Sequence, residues 1–183
     1  MRVLLDVDGV LGDFASEVIR FANLYALMPG ERAWTIEDAI DFDILESMGL
    51  ADMQDRFDQH LIDTDYCANM PVLPGATEFV EKLYQLEHEV VIVTSPHRGV
   101  PQWASQRTEW LWRHFGIHAD DVIFARVKHR ISGDVLVDDK PENVAGFKER
   151  GILFSQPWNR DVRGAYRAES YQDVVARLRF MDV

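Results

Sequence analysis

The sequence predicts an α/β protein with a parallel sheet and a small helical cap inserted after the first strand and helix. Three observations carry this expectation. Short apolar runs without polar alternation recur, as in strands buried on both faces. Segments with helical apolar spacing alternate with them. About forty acidic, short-period residues then interrupt that alternation once, early in the chain. At 183 residues, 47% of them hydrophobic and 27% charged, the chain holds enough material for one domain with an elaboration, and too little for a second independent core.

Val3-Leu4-Leu5 is the first strand, and acids follow it at once. Phe14, Val18, Phe21, Ala22 and Tyr25 recur at helical spacing and predict a helix over 13–27. Pro29-Gly30 breaks it. Beyond the break, Thr35 and Asp38 resemble a capping box, and short helices are expected over 35–40, 44–48 and 51–62, ending near the turn at 71–75. Pieces this short are unstable alone, so they are expected to pack over the core. Alternation then resumes with a helix over 76–86, a strand over 89–93, a helix over 101–115 and strands over 122–124 and 135–137. A helix after Pro141, a final strand over 152–154 and an amphipathic helix over 171–181 complete the chain. The expected architecture is a Rossmann-like three-layer α/β/α core of residues 1–28 and 72–183, with 29–71 as the helical cap.

Thirty-one acids against nineteen bases give a formal charge of −12, a field that repels nucleic acid polymers and anionic membrane surfaces. A small phosphorylated ligand remains compatible, provided that a metal ion and local basic groups compensate. The single Cys67 excludes an intrachain disulfide and a multi-cysteine zinc site, and reads as a small buried hydrophobe. No apolar run reaches membrane-spanning length, and the first residues enter a strand rather than a signal peptide, so a cytoplasmic location is expected. A homodimer is compatible with this reading, as is a monomer.

Three apolar strands end in chemistry: Asp6 and Asp8, then Thr94 and Ser95, then Asp138 and Asp139. Ligands of open parallel sheets bind beyond the carboxyl ends of the strands. Were these strands neighbours, four carboxylates would converge, each close pair costing roughly 4 kcal/mol at 4 Å and an effective dielectric near 20. A divalent cation resolves that repulsion, and an all-oxygen site favours Mg²⁺. Alternation places Asp6 and Asp8 on roughly one side, with Gly9 and Gly12 allowing a sharp turn. One carboxylate can then attack phosphorus while the other moves the proton: Asp6 attacks and Asp8 shuttles. The Thr94 hydroxyl, backbone N–H groups and Lys128, ten residues before Asp138, are the expected donors to the phosphoryl oxygens.

In this order, Asp6-Val7-Asp8-Gly9-Val10, Thr94 or Ser95, Lys128 and Asp138-Asp139 resemble the four motifs of the haloacid dehalogenase-like phosphatase superfamily. The resemblance implies that Asp6 is the nucleophile and that Asp8 is the acid/base, lending its backbone oxygen to the metal. It also implies Asp139 as the direct ligand, with Asp138 as its neighbour. A narrower resemblance spans nearly the whole chain, through the run from Asp6 to Phe14, Leu73-Pro74-Gly75-Ala76, Val93-Thr94-Ser95-Pro96 and Leu136-Val137-Asp138-Asp139. These segments are similar to the 5'(3')-deoxyribonucleotidase family. That family implies hydrolysis of a nucleoside monophosphate under the cap, with Phe14 and Phe42 against the nucleoside and Trp34 and Tyr66 as further stacking candidates. Asp43 stands where an aromatic neighbour is expected.

Other readings compete. A calcium loop would need a ligand where Val10 stands, and a phosphoacceptor receiver domain would lack the early insertion. A phosphatase of another small phosphate ester, or a non-catalytic binding protein, could use the same scaffold. His114 and His118 have metal-compatible spacing but end an amphipathic helix and lack a third ligand. His97 and Arg98 are either phosphate neighbours or a solvated turn, and Trp158 either closes the pocket or packs in the core.

Overall fold

The computed structural model describes residues 1–181. Six strands, β1 (Arg2–Leu5), β2 (Glu89–Thr94), β3 (Val122–Phe124), β4 (Val135–Asp138), β5 (Gly151–Phe154) and β6 (Tyr166–Ala168), form one sheet in the order β3-β2-β1-β4-β5-β6. Every pairing is parallel. The order reverses beside β1, because β2 lies on one side of it and β4 on the other. A crevice at such a point opens above the carboxyl ends of the strands. Register makes the crevice sharp: Leu5 pairs with both Ile92 and Val137, and the Asp6 N–H donates to the Val137 carbonyl at 3.0 Å. The chain therefore leaves β1 and β4 side by side at Asp6 and Asp138.

The unalternating apolar runs are explained by burial on both faces. Val3, Leu5, Val90, Ile92, Val135 and Val137 enter the main apolar cluster, whereas Leu4, Val91, Val93 and Leu136 form a smaller one on the opposite face. Helices α1 (Phe14–Tyr25), α5 (Ala76–Gln85), α6 (Trp103–Phe115) and α8 (Tyr171–Met181) contribute to the main cluster. The smaller cluster is packed by Ile123, Ala125, Ile131 and Phe147, the last of these directly after α7 (Pro141–Gly146).

Residues 29–71 are helical in short pieces: α2 (Ile44–Ser47), α3 (Gln54–Asp63) and α4 (Tyr66–Asn69), with 3-10 turns at Ile36–Asp38 and Ala51–Met53. The expected capping box is present, with Asp38 Oδ2 accepting from the Thr35 N–H at 2.7 Å. This insertion has no separate core. Ile44, Leu45, Phe57 and Leu61 join the same cluster as β1 and β2, and the Phe57 ring lies 5.0 Å from that of Phe21 on α1.

Two elements go beyond the expected set. Strand β6 pairs outside β5, so 152–154 is not the last strand. Helix α4 follows the left-handed Asp65 (φ +48°) and packs on α6, where Cys67 is fully buried and donates its thiol to the Trp103 carbonyl at 3.5 Å. Burial pushes that thiol up to about 11, as suits an inert hydrophobe.

Because the insertion shares the core, Phe57→Ala is expected to destabilise the whole chain by about 3–5 kcal/mol. Denaturant unfolding followed by fluorescence and by circular dichroism should show one coincident transition at a lower midpoint. Two separate transitions would mean that the insertion folds on its own.

Candidate active site

At the β1/β4 crevice, oxygens of Asp6, Asp138 and Asp139 lie within 4.8 Å of one another, all three residues being buried. Among the described residues, no other group of three such side chains is placed to hold a metal ion. The one cation in this cluster is Lys128, 1% exposed, on the 3-10 turn Lys128–Arg130 after β3. Its Nζ lies 2.7 Å from both Asp6 Oδ1 and Asp138 Oδ2. Burial alone would lower the lysine pKa, but the charges of Asp6 and Asp138 outweigh it and hold it above its ordinary value.

The acidic pair after β4 divides its work. Asp138 is fully engaged, accepting from Lys128, the Lys140 N–H at 2.8 Å and the Asn143 amide at 3.0 Å. Asp139 Oδ2 accepts from the Trp158 indole N–H at 2.9 Å, whereas its Oδ1 is buried and makes no hydrogen bond. Burial and the Asp6 charge push Asp138 up to about 6. Burial and the charges of Asp138 and Asp6 push Asp139 well above the carboxylate range. Three carboxylates against one ammonium, with one oxygen orphaned, form an all-oxygen donor set that fits a hard divalent cation.

The expectation of four converging carboxylates is corrected. After Val7 the chain turns: the N–H groups of Leu11 and Gly12 both donate to the Val7 carbonyl, and Gly9 has φ +76°. This turn directs the Asp8 side chain away from the cluster toward α6, where Arg107 Nη2 donates to Asp8 Oδ1 at 2.7 Å. Asp8 remains 31% exposed and lines the cavity. The turn also packs closely, since a Cβ on Gly9 would stand 2.4 Å from Asp139 Oδ2.

Thr94 ends β2 with its hydroxyl buried and making no hydrogen bond, and Ser95 follows at the wall. Above the carboxylates is a cavity of about 520 Å³. Phe14, Phe42, Trp103 and Trp158 line it, as do His97 and Arg98. Phe14 is the hub of the aromatic wall, with ring centroids of Trp103 at 5.8 Å and Phe57 at 5.9 Å. Phe42 is 47% exposed, with Lys140 Nζ 3.9 Å from its ring centroid. Two of the stacking candidates lie elsewhere. Tyr66 supports Phe14 from behind and donates its hydroxyl to the Asp13 carbonyl at 2.6 Å. Trp34 is tied by its backbone to the Asn23 side chain, outside the cavity lining. His114 and His118 pack against Trp110 and Trp112. Sequence reasoning missed Arg107, Asn143 and the indole bond of Trp158 to Asp139. Arg107 carried a signal, because it shares one helical face with Trp103 and Trp110 at spacings of four and three.

The parallel core, the early helical insertion and the acidic crevice define a haloacid dehalogenase-like hydrolase fold. Solved structures agree on the fold. A hydrolase from Pseudomonas syringae superposes with a TM-score of 0.57 over 99% of this chain and 98% of that one, at 16% identity. A haloacid dehalogenase-family hydrolase from Deinococcus radiodurans does so at 0.55 over 99% and 96%, also at 16% identity. Within that class, residues 1–180 match the family described as "5' nucleotidase, deoxy (Pyrimidine), cytosolic type C protein", and the chain belongs to it. It is 31% identical to the mitochondrial 5'(3')-deoxyribonucleotidase of Mus musculus over 78% of this chain, spanning 66% of the mouse protein's length. It is 25% identical to the 5'(3')-deoxyribonucleotidase of Bacillus subtilis over 96% of this chain and 97% of that protein. No helix among the described residues is long and apolar enough to cross a membrane.

Two outcomes follow from this geometry. A carboxyl with a raised folded pKa binds its proton more tightly when folded, so the stability Asp138 contributes is present below about pH 4 and lost as the pH rises through about 6. A divalent cation relieves the repulsion that remains above that range. It should raise the melting temperature by several degrees near pH 7.5 and by little near pH 5; an equal shift at both would contradict the crowded-carboxylate account. Gly9→Ala should cost at least about 1 kcal/mol from backbone conformation alone and abolish that cation-dependent shift, both readable by calorimetry.

Proposed function

We propose that the chain is a Mg²⁺-dependent phosphatase that hydrolyses nucleoside monophosphates, deoxyribonucleotides among them, to nucleoside and phosphate through an aspartyl-phosphate on Asp6. The observation that carries this is the Asp6 carboxylate, fixed at Oδ1 by Lys128 and the Val7 N–H at 2.7 Å each, beside the unbonded Asp139 Oδ1 at the foot of an aromatic-walled cavity. Family membership and the names of the relatives support the same reaction class.

An oxygen of Asp6 forms the bond to phosphorus as the bond to the ester oxygen breaks, and Asp8 gives that oxygen its proton. Asp8 then takes a proton from water as the water oxygen bonds to phosphorus, and the acyl-phosphate bond breaks to regenerate Asp6. The Thr94 hydroxyl and Ser95 donate to the phosphoryl oxygens, and Lys128 balances their charge. Asp138 positions Lys128. The carboxylates of Asp6 and Asp139, with the Asp8 backbone oxygen, would hold Mg²⁺, which when bound would supply positive charge between nucleophile and phosphate. Phe14 and Phe42 form the walls for the nucleoside, with residues 29–71 acting as the cap. The single buried, unbridged thiol fits action in a reducing compartment such as the cytoplasm.

Phosphate release should be measured over a panel of nucleoside monophosphates and sugar phosphates, with Mg²⁺ and with chelator. Within this panel, turnover is expected on the nucleotides and not on the sugar phosphates, and only with the metal. Asp6→Asn should lower it by at least ~10³-fold while the fold is retained, and acid quenching should trap labelled phosphate on wild type alone. Activity confined to sugar phosphates would sink the substrate, and chelator-resistant turnover would sink the mechanism.

A further inference from the structure

Arg107 is fully buried in the middle of α6, behind the active site. Its guanidinium carbon sits 4.8 Å from the Trp103 ring centroid and 5.7 Å from that of Trp110. Nη1 reaches the Met70 sulfur at 4.0 Å, the Cys67 thiol is a second soft neighbour of the guanidinium, and Nε makes no hydrogen bond. The one strong acceptor in this aromatic box is Asp8 Oδ1, 2.7 Å from Nη2 and 99 residues away in sequence. The box itself is rigid: the Trp110 indole donates to the Met70 carbonyl at 2.7 Å, and Met70 and Trp110 press on Gly12, whose Cβ would stand 2.0 Å from the Met70 methyl.

A buried guanidinium with so few partners loses much of its hydration, and a methionine would fill the same space without that loss. Its geometry makes sense toward Asp8 alone. The Asp8 side chain is otherwise at the cavity surface, on a turn that follows the strand and not within it. We propose that Arg107 is a positioning residue that fixes the Asp8 carboxylate in one orientation facing the cavity, so that the proton-transfer group is set before the phosphate ester arrives. The proposal rests on the phosphatase reading given above. Arg107 touches neither phosphorus nor the ester oxygen; it acts through Asp8.

The test compares wild type, Arg107→Met, Arg107→Lys, Asp8→Asn and the Arg107→Met/Asp8→Asn double variant, with melting temperatures taken in parallel. The substrates are a pyrimidine deoxynucleoside monophosphate and p-nitrophenyl phosphate, whose leaving group departs without a proton. Arg107→Met should lose ~10²-fold in kcat on the nucleotide with little change in KM. On p-nitrophenyl phosphate it should still release its first equivalent of nitrophenolate rapidly, then turn over slowly. Arg107→Lys should fall between, and the double variant should be no slower than Asp8→Asn. Should Arg107→Met not fold, the burst and steady-state comparison on Arg107→Lys decides. Wild-type kcat in the Arg107 variants, equal losses in burst and steady state, or multiplied losses in the double variant would each overturn the proposal. A wild type inactive on both substrates would instead overturn the phosphatase reading.

Discussion

The contact on which the site depends is the bridge from Lys128 to Asp6 and Asp138. It ties the ends of two adjacent strands through a buried ammonium supplied from a third part of the chain. Without that charge, neighbouring carboxylates at the exits of β1 and β4 would repel one another in a space too dry to screen them. With it, the pair is held but the account is not closed, because Asp139 adds a third carboxylate whose Oδ1 has no partner. The electrostatic demand that remains has the sign and hardness of a divalent cation. The same logic governs Asp8 on a smaller scale, where Arg107 supplies the opposing charge from behind.

The fold was legible wherever an element is decided by its own apolar pattern. Strands β1, β2 and β4 are buried on both faces, so their residues have no polar alternation to obscure them. Strand β6 was not legible, since it is three residues long, pairs on one side only and carries Arg167 at its centre. Helix α4 was missed for a related reason: four residues after a left-handed aspartate have no period, and their place is set by packing on α6. Of the site, the residues at strand ends could be read directly, because parallel topology brings such ends together. Arg107, Asn143 and Trp158 act through contacts that only the folded chain makes. The direction of Asp8 likewise depends on one turn after β1, which strand alternation cannot foresee.

The cavity lining mixes both signs of charge, with Asp8, Asp43, Asp58 and Asp139 among its residues. Arg98 and Arg126 stand at its lining, and Lys140 lies over Phe42 on another side. A chain of net charge −12 thus sets a few cations among acids at this lining, where their attraction for an anion acts over short distances. Aromatic rings make up another part of the wall, with Phe14 flanked by Phe57, Trp103 and Tyr66.

The insertion over residues 29–71 contributes Phe57 and Leu61 to the same core that packs β1, and Phe57 also reaches the cavity wall. One side chain therefore belongs both to the cavity wall and to what keeps the chain folded. Drift toward a new ligand by changing this wall would draw down the stability reserve of the whole chain, whereas Phe42, at the exposed rim of the cavity, can vary at less cost. Innovation in this scaffold is thereby channelled to the rim of the pocket, with its interior held conservative by folding rather than by chemistry.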